Sequence, residues 1–300
     1  MQVCSFDDII KEPIVVALGF FDCVHVAHRR LIDKAVTLAK EKDARCAVLT
    51  FDNNPRTVLE KTSKSKLIYD FFTRCEIFGE LNVDMVIKTT FDDRFAALTE
   101  QEFLAKLFKN NLVGVVCGFD YTFGSNKKGS AKELKDGCNT NGVDCIVFER
   151  QDFDGEKIST RYINGLLTDG KIEEANLLLG DRYRYSGVVV YGHEIGRTIG
   201  FRTVNLVADE NVVLVKNGVY YGFVEVDGKK YKAIVNVGRR PTFNDDNTNI
   251  EAHLLNFNGD VYGRRITVFF EKFMREQKHF DSAEELKLQL KKDKETAAML

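Results

Sequence analysis

No sign of charge dominates this chain: 43 lysines and arginines stand against 45 acidic residues, for a net charge of -2. Without a basic excess there is no electrostatic case for a nucleic-acid partner. No apolar run approaches the roughly 18 residues that a membrane-crossing helix needs. The N-terminus, Met1-Gln2-Val3-Cys4-Ser5-Phe6-Asp7-Asp8, lacks the basic-then-apolar pattern of a secretory signal. These absences exclude nucleic-acid and membrane partners and make the cytoplasm the expected compartment. The seven cysteines, at 4, 23, 46, 75, 117, 138 and 145, contain no C-x-x-C pair, and none lies beyond 145. Such an odd, one-sided set argues for reduced thiols and against a zinc site or a disulfide frame. Cys46, Cys117 and Cys145 sit inside apolar runs, where each reads as a small core hydrophobe. Internal repeats and low-complexity segments are missing as well. What is present is 44% hydrophobic and 29% charged residues, the composition of a soluble globular protein. A length of 300 residues leaves room for two domains, each of about 150 residues and able to bury its own core.

Two hydrophobic periods divide the chain. From residue 14 to about 150, short apolar runs alternate with helix-period stretches. The runs are Ile14–Leu18, Cys46–Phe51, Asp84–Ile87, Val113–Cys117 and Cys145–Phe148, with helices expected near 25–41, 69–81, 99–109 and 130–138. Continuous apolar strands separated by helices imply a parallel sheet covered on both faces, an α/β, Rossmann-like nucleotidyltransferase fold. Ligands of such sheets bind where strands end and helices begin. Two short helices, Tyr162–Leu167 and Ile172–Leu179, follow and end at Gly180 as a C-cap. After about Tyr183 the helix period stops. Val188–Tyr191, Val219–Val226, Tyr231–Asn236, Ile250–Phe257 and Ile266–Phe273 read as strands, with Asp227-Gly228 as a hairpin turn. Short strands at this spacing point to a small antiparallel β-barrel, closed by an amphipathic helix over Ala283–Lys292. The expected domains are therefore 1–182 and 183–300.

The stretch Gly192 to Asn205, GHEIGRTIGFRTVN, carries the densest chemical signal. Gly192, Gly196 and Gly200 let the backbone approach a bulky anion, because no Cβ stands in the way. Arg197 adds a planar cationic fork suited to phosphate. Thr203 and Asn205 alternate along an extended segment, so both point the same way and together suit a metal–phosphate group. Taken alone, a glycine-rich loop is more often an ordinary turn. A second phosphate-type signal lies near the N-terminus. Strand 14–18 runs into Gly19-Phe20-Phe21-Asp22-Cys23-Val24-His25-Val26-Ala27-His28. A helix starting near residue 25 would place His25 and His28 on one face of its first turn. There the free N–H groups and the dipole already favour phosphate, and two imidazoles add donors without a permanent charge. Spacing alone leaves two solvent-facing histidines equally open.

These segments resemble, in order, the motifs of the bacterial bifunctional riboflavin kinase/FAD synthetase family. Gly19 to His28 is similar to its G-F-F-D-G-V-H-x-G-H, Thr50 to Arg56 to T-F-D-P-H-P-R, and Gly118 to Gly124 to G-x-D-F-x-F-G. Gly192 to Asn205 resembles the kinase segment G-x-x-x-G-R-x-x-G-F-P-T-A-N. Asn236 to Phe243, Glu251 to Leu255, Gly259 to Gly263, Arg275 and Phe280 to Ser282 continue the match nearly to the end. Departures also occur. Cys23 and Ala27 stand at motif glycines, Asn54 at a histidine, and Arg202 and Val204 at the proline and alanine of the kinase segment. The family's I-S-S-T-x-I-R aligns with Ile158 to Asn164, which puts Arg161 at the threonine and Asn164 at the phosphate-binding arginine.

The resemblance implies two ATP-dependent reactions: riboflavin to FMN, then FMN to FAD with release of pyrophosphate. Riboflavin, FMN and ATP are the implied small-molecule partners, with Mg²⁺ as cofactor. Glu251 is the implied general base for the ribityl hydroxyl, against the plainer reading of a solvated strand residue. Thr203 and Asn205 would hold the metal–nucleotide, with Gly192, Gly196, Arg197 and Gly200 around its phosphates. In the front half, His25 and His28 would stabilise charge moving to pyrophosphate. Gly19, Phe20, Asp120, Ser159, Thr160 and Arg161 complete the expected nucleotide contacts, although Asp120 equally suits a turn. The departures make FAD synthesis the weaker of the two expected activities. A kinase-only enzyme, a flavin-binding regulator with a decayed adenylyltransferase domain, and a nucleotidyltransferase for another phosphorylated metabolite are the competing readings. Retained Glu251 argues against the regulator and the second half against the last.

Overall fold

The computed structural model describes every residue except 62–64, 151, 154–155, 192–202 and 240–247. The chain forms two compact units, Met1–Thr160 and Arg161–Leu300.

In the first unit the apolar runs become strands β1 (Gln2–Ser5), β2 (Ile14–Leu18), β3 (Arg45–Phe51), β4 (Met85–Thr89), β5 (Leu112–Gly118) and β6 (Asp144–Phe148). They pair in the order β1-β4-β3-β2-β5-β6, every pairing parallel. All five residues of β2 are buried, as expected for a strand covered on both faces. Helices α1 (Val26–Glu41), α2 (Phe71–Glu80), α3 (Glu100–Leu107) and α4 (Ala131–Thr140) connect the strands, and α1 packs on β2, β3 and β5. Each has a side-chain N-cap: His25, Asp70, Thr99 and Ser130, the last two as full capping boxes. The chain leaves β2 for β3 on one side and returns as β5 on the other. That reversal opens a crevice beyond the carboxyl ends of β2 and β5, where ligands of such sheets bind. Strand β1 and the short helices Pro55–Leu59 and Asp93–Ala97 escape sequence reading, because none is long enough to show a period.

The second unit begins with α5 (Thr160–Asp169, whose first residue belongs to the front unit) and α6 (Ile172–Leu179), which ends at Gly180 with φ 67°. Strands β7 (Tyr183–Val190), β8 (Val204–Val207), β9 (Gly218–Val226), β10 (Lys229–Arg239), β11 (Thr248–Leu254) and β12 (Arg265–Arg275) close an antiparallel barrel in the order β7-β8-β11-β10-β9-β12. The β9–β10 hairpin turns at Asp227 and Gly228, with φ 52° and 73°, which is the expected two-residue turn. At Gly222 the pairing with β12 shifts register, and an added Cβ would stand 1.9 Å from the Phe269 carbonyl oxygen. The change of period placed a boundary at 182/183, whereas contacts divide the chain at Thr160/Arg161. The reason is Asn176 of α6, which donates to Phe270 O at 2.9 Å and accepts from Tyr183 N–H at 2.7 Å, tying α6 to barrel strands.

Helix α7 runs over Ala283–Met299, longer than the apolar pattern suggests. Its last turns bury Ala297 completely and Asp293 almost so. Arg275 grips Asp293 in a two-pronged ion pair, Nε to Oδ1 at 3.0 Å and Nη2 to Oδ2 at 2.6 Å. A motif position in the sequence, Arg275 thus holds the final helix.

Candidate active sites

The loop after β2 builds the first site. Gly19 is sterically required there, since a Cβ would lie 2.7 Å from the Phe21 ring as the chain doubles back. Phe21 and Val24 adopt φ 50° and 43°, a region that a β-branched valine rarely enters. Strain of this kind persists where the surroundings over-determine the backbone. The surroundings here are Arg74, fully buried on α2. Its guanidinium donates to Phe20 O at 3.0 Å, Thr50 Oγ1 at 3.1 Å and Phe51 O at 2.8 Å. Thr50 Oγ1 adds a 2.6 Å bond to the same Phe20 carbonyl. Buried Asp22 accepts from Ile68 N–H at 2.9 Å, and burial pushes its carboxyl up to about 6 despite the opposing Arg74 charge. No motif signalled Arg74, whose place on an ordinary helix looks like a surface one.

His25 caps α1 rather than sitting in its first turn, and its Nδ1 accepts from His28 N–H at 3.2 Å. The two rings stack with centroids 3.6 Å apart and planes 12° apart. Burial lowers His25 to about 4 and drives His28 well below its usual range, so both imidazoles are neutral at neutral pH. With Nδ1 of His25 engaged as an acceptor, the proton of the neutral ring sits on Nε2, which is then a donor. Cys23 is buried, its Sγ 3.4 Å from Thr160 Oγ1. Ser159 is half-buried and Arg161 exposed. Asp120 lies in the exposed turn after β5, ion-paired to Lys157 at 2.8 Å, and its charge acts on His25.

The second candidate site lies on the outside of the barrel. Asn205 pairs with Glu251 across β8 and β11, and Glu251 with Asn236 across β11 and β10. Directly opposed residues share a face. Their sequence neighbours Leu206, Ile250, Ala252, Val235 and Val237 are buried in the interior, so the polar row faces outward. Thr203 Oγ1 donates to Glu251 Oε1 at 2.7 Å, which leaves Oε2 for another partner. Gln277 Nε2 donates to Asn236 Oδ1 at 3.0 Å, extending the row. Asn236 and Gln277 carry no role in the sequence reading, although Asn236 opens the matched segment Asn236 to Phe243 and is a polar residue inside the apolar run from Tyr231. Gly192, Gly196, Arg197 and Gly200 lie outside the described residues.

A strand–loop–helix turn at the end of a parallel sheet, followed by a barrel whose Glu251 carboxylate is held by a hydroxyl, is an arrangement that suits a nucleotide-using transferase. A family model described as FAD synthetase matches residues 7–162, and one described as riboflavin kinase matches residues 179–300. A bifunctional riboflavin kinase/FMN adenylyltransferase of Bacillus subtilis (strain 168) is 34% identical, over 96% of this chain and 94% of that one. Its namesake from Escherichia coli (strain K12) is 33% identical over 96% and 92%. The chain belongs to the bifunctional riboflavin kinase/FMN adenylyltransferase family, a family of transferases. A solved structure from Streptococcus pneumoniae, described as a macrolide-efflux protein, matches with a TM-score of 0.88 and 33% identity over 99% of both chains. Among the described residues here, no helix is long and apolar enough to cross a membrane.

Proposed function

We propose that this chain makes FMN from riboflavin and ATP at the barrel, and FAD from FMN and ATP at the parallel sheet. The observation that carries the first reaction is the Glu251 carboxylate, oriented by Thr203 and flanked by Asn205 and Asn236. Glu251 Oε2 accepts the proton of the ribityl 5′-hydroxyl as that oxygen bonds to the γ-phosphorus. The bond from the γ-phosphorus to the β–γ bridging oxygen breaks, and ADP leaves with the electron pair. Gly192, Gly196, Gly200 and Arg197 surround the phosphates in this reading. The hydroxyl and amide oxygens of Thr203 and Asn205 are a hard donor set that fits Mg²⁺. Bound there, the ion would neutralise phosphate charge.

At the sheet, a phosphate oxygen of FMN attacks the α-phosphorus of ATP, and pyrophosphate leaves. The neutral His25 and His28 donate hydrogen bonds to the departing phosphates beside the start of α1. Gly19 and Phe20 shape the loop, while Asp120, Ser159, Thr160 and Arg161 are the further nucleotide contacts we assign by motif position. Seven free cysteines fit a reducing, cytoplasmic setting. Incubation with riboflavin, ATP and Mg²⁺, and separately with FMN, ATP and Mg²⁺, followed by chromatography of the flavins, tests both halves. Absence of FMN in the first mixture would refute the kinase reading.

Two outcomes follow. Thr203→Ala and Asn205→Ala should each weaken nucleotide binding and turnover together, with the melting transition kept; a collapsed transition would make these residues structural. FAD formation should be slower than FMN formation, because Ala27 puts a methyl group in the first turn of α1. A group of that size forced into a tight contact costs about 1–3 kcal/mol, roughly 5- to 150-fold in affinity. Ala27→Gly should therefore raise FAD formation, and equal rates in wild type with no gain in the variant would refute this.

A further inference from the structure

We propose that Cys23, His25 and His28 form a binding site for a soft divalent cation of the zinc class. One ligand atom from each of the three side chains lies within 4.8 Å of the others. Nδ1 of His28 is buried and has no hydrogen-bond partner. An orphaned imidazole nitrogen in a buried cluster is a group whose partner has yet to be supplied. Two imidazoles and a sulfur suit zinc or cobalt and not magnesium, which takes oxygen ligands. Zinc bonds of about 2.3 Å to sulfur and about 2.0 Å to nitrogen place tetrahedral ligand atoms roughly 3.3–3.7 Å apart. Closing the cluster to those distances requires the stacked His25 and His28 rings to turn out of their parallel arrangement, so that a nitrogen lone pair of each meets the ion. Three protein ligands leave a fourth position open to water or a phosphate oxygen, the pattern of zinc sites that exchange ligands.

The spacing is C-x-H-x-x-H, with the cysteine contributed by the strained loop and the histidines by the start of α1. The odd, one-sided cysteine set without C-x-x-C speaks against a cysteine-only zinc site; the mixed cluster here uses one cysteine and two histidines. On binding, the Sγ–H bond of Cys23 breaks, its proton passes to solvent, and the thiolate pair goes to the ion. His28 supplies Nδ1. His25 must give up either its cap on His28 N–H or its Nε2–H. Coordination through Nε2 of His25 removes one of the donors assigned above to pyrophosphate, and the ion should inhibit FAD formation. This second consequence alone rests on the proposed function.

The test uses the full chain, stripped of metal by a chelator and titrated with Co²⁺ as a coloured stand-in for Zn²⁺. The expected result is a single ion per chain, with a thiolate-to-cobalt charge-transfer band that Zn²⁺ removes. Cys23→Gly, which places the family's own residue in the loop, should abolish the band and weaken binding by about 100-fold or more, as loss of a ligand exceeds the 10–100-fold typical of a supporting residue. His28→Ala should weaken binding similarly. Cys46→Ala, at a thiol buried in β3, should keep the band. A band that survives Cys23→Gly, or wild type that binds no cobalt, would overturn the proposal. Added Zn²⁺ should suppress FAD formation in wild type and not in Cys23→Gly; equal suppression in both would overturn the inhibitory role. A cobalt band in a protein that makes no FAD with Mg²⁺ would leave the site standing and refute the adenylyltransferase reading instead.

Discussion

Glu251→Gln should lower riboflavin phosphorylation by about 10²- to 10⁴-fold, the usual effect of removing a general base. The glutamine keeps the volume of the side chain, and its carbonyl oxygen still accepts the Thr203 hydroxyl now held at 2.7 Å. Position is thus preserved and basicity is lost. Binding should survive, because the polar row keeps Asn205 and Asn236 on either side. Turnover with Mg²⁺ and ATP, measured beside quenching of riboflavin fluorescence on binding, separates the two effects. Turnover near that of wild type would remove Glu251 from the base role and leave it as a solvated strand residue.

Arg74→Met should be the most damaging single change in the front unit. Methionine fills much of the space, but Thr50 Oγ1 and Phe51 O lose the guanidinium donor and Phe20 O keeps only the Thr50 hydroxyl. Asp22, 2% exposed, loses the cation opposing its burial. Each buried acceptor left without a donor typically costs about 1–3 kcal/mol. The loss should be local to the carboxyl ends of β2 and β3. Hydrogen exchange read by mass spectrometry should show faster exchange across 14–21 and 45–52, with barrel peptides unchanged. FAD formation should fall further than FMN formation. Unaltered exchange in both segments would mean that the loop holds its strained shape without Arg74.

What the sequence disclosed depended on whether burial was carried by apolar residues. Ile14–Leu18 and Leu112–Gly118 are continuous apolar runs, so the sheet was legible. Asp227-Gly228 and Gly180 stand where only a left-handed backbone closes the turn, so hairpin and helix end were legible too. Where charge or a small residue does the packing, the pattern falls silent. Arg74 buries a guanidinium, and α7 continues to Met299 because Ala297 and the Asp293–Arg275 pair hold it, with no apolar stripe to announce them. The site residues divide in the same way. His25 and His28 were placed together by their spacing, and their stacking and the cap on His28 N–H follow from that turn. The Thr203–Glu251 bond joins residues 48 apart in the chain, which only the pairing of β8 with β11 brings together.

The position of β2 also sets the order in which the molecule can be made. Val16 pairs with Ala47 on one side and Val115 on the other. At a ribosomal pace of about 5–20 residues per second, the second partner emerges roughly 5–20 s after the first strand. For that interval a wholly apolar strand has one flank without its neighbour, a state that invites association with other chains. The barrel faces no such wait at its hairpin, since Val226 meets Lys229 across a two-residue turn. The nascent front unit, short of β5, is therefore the species in which a chaperone holding apolar segments would matter most.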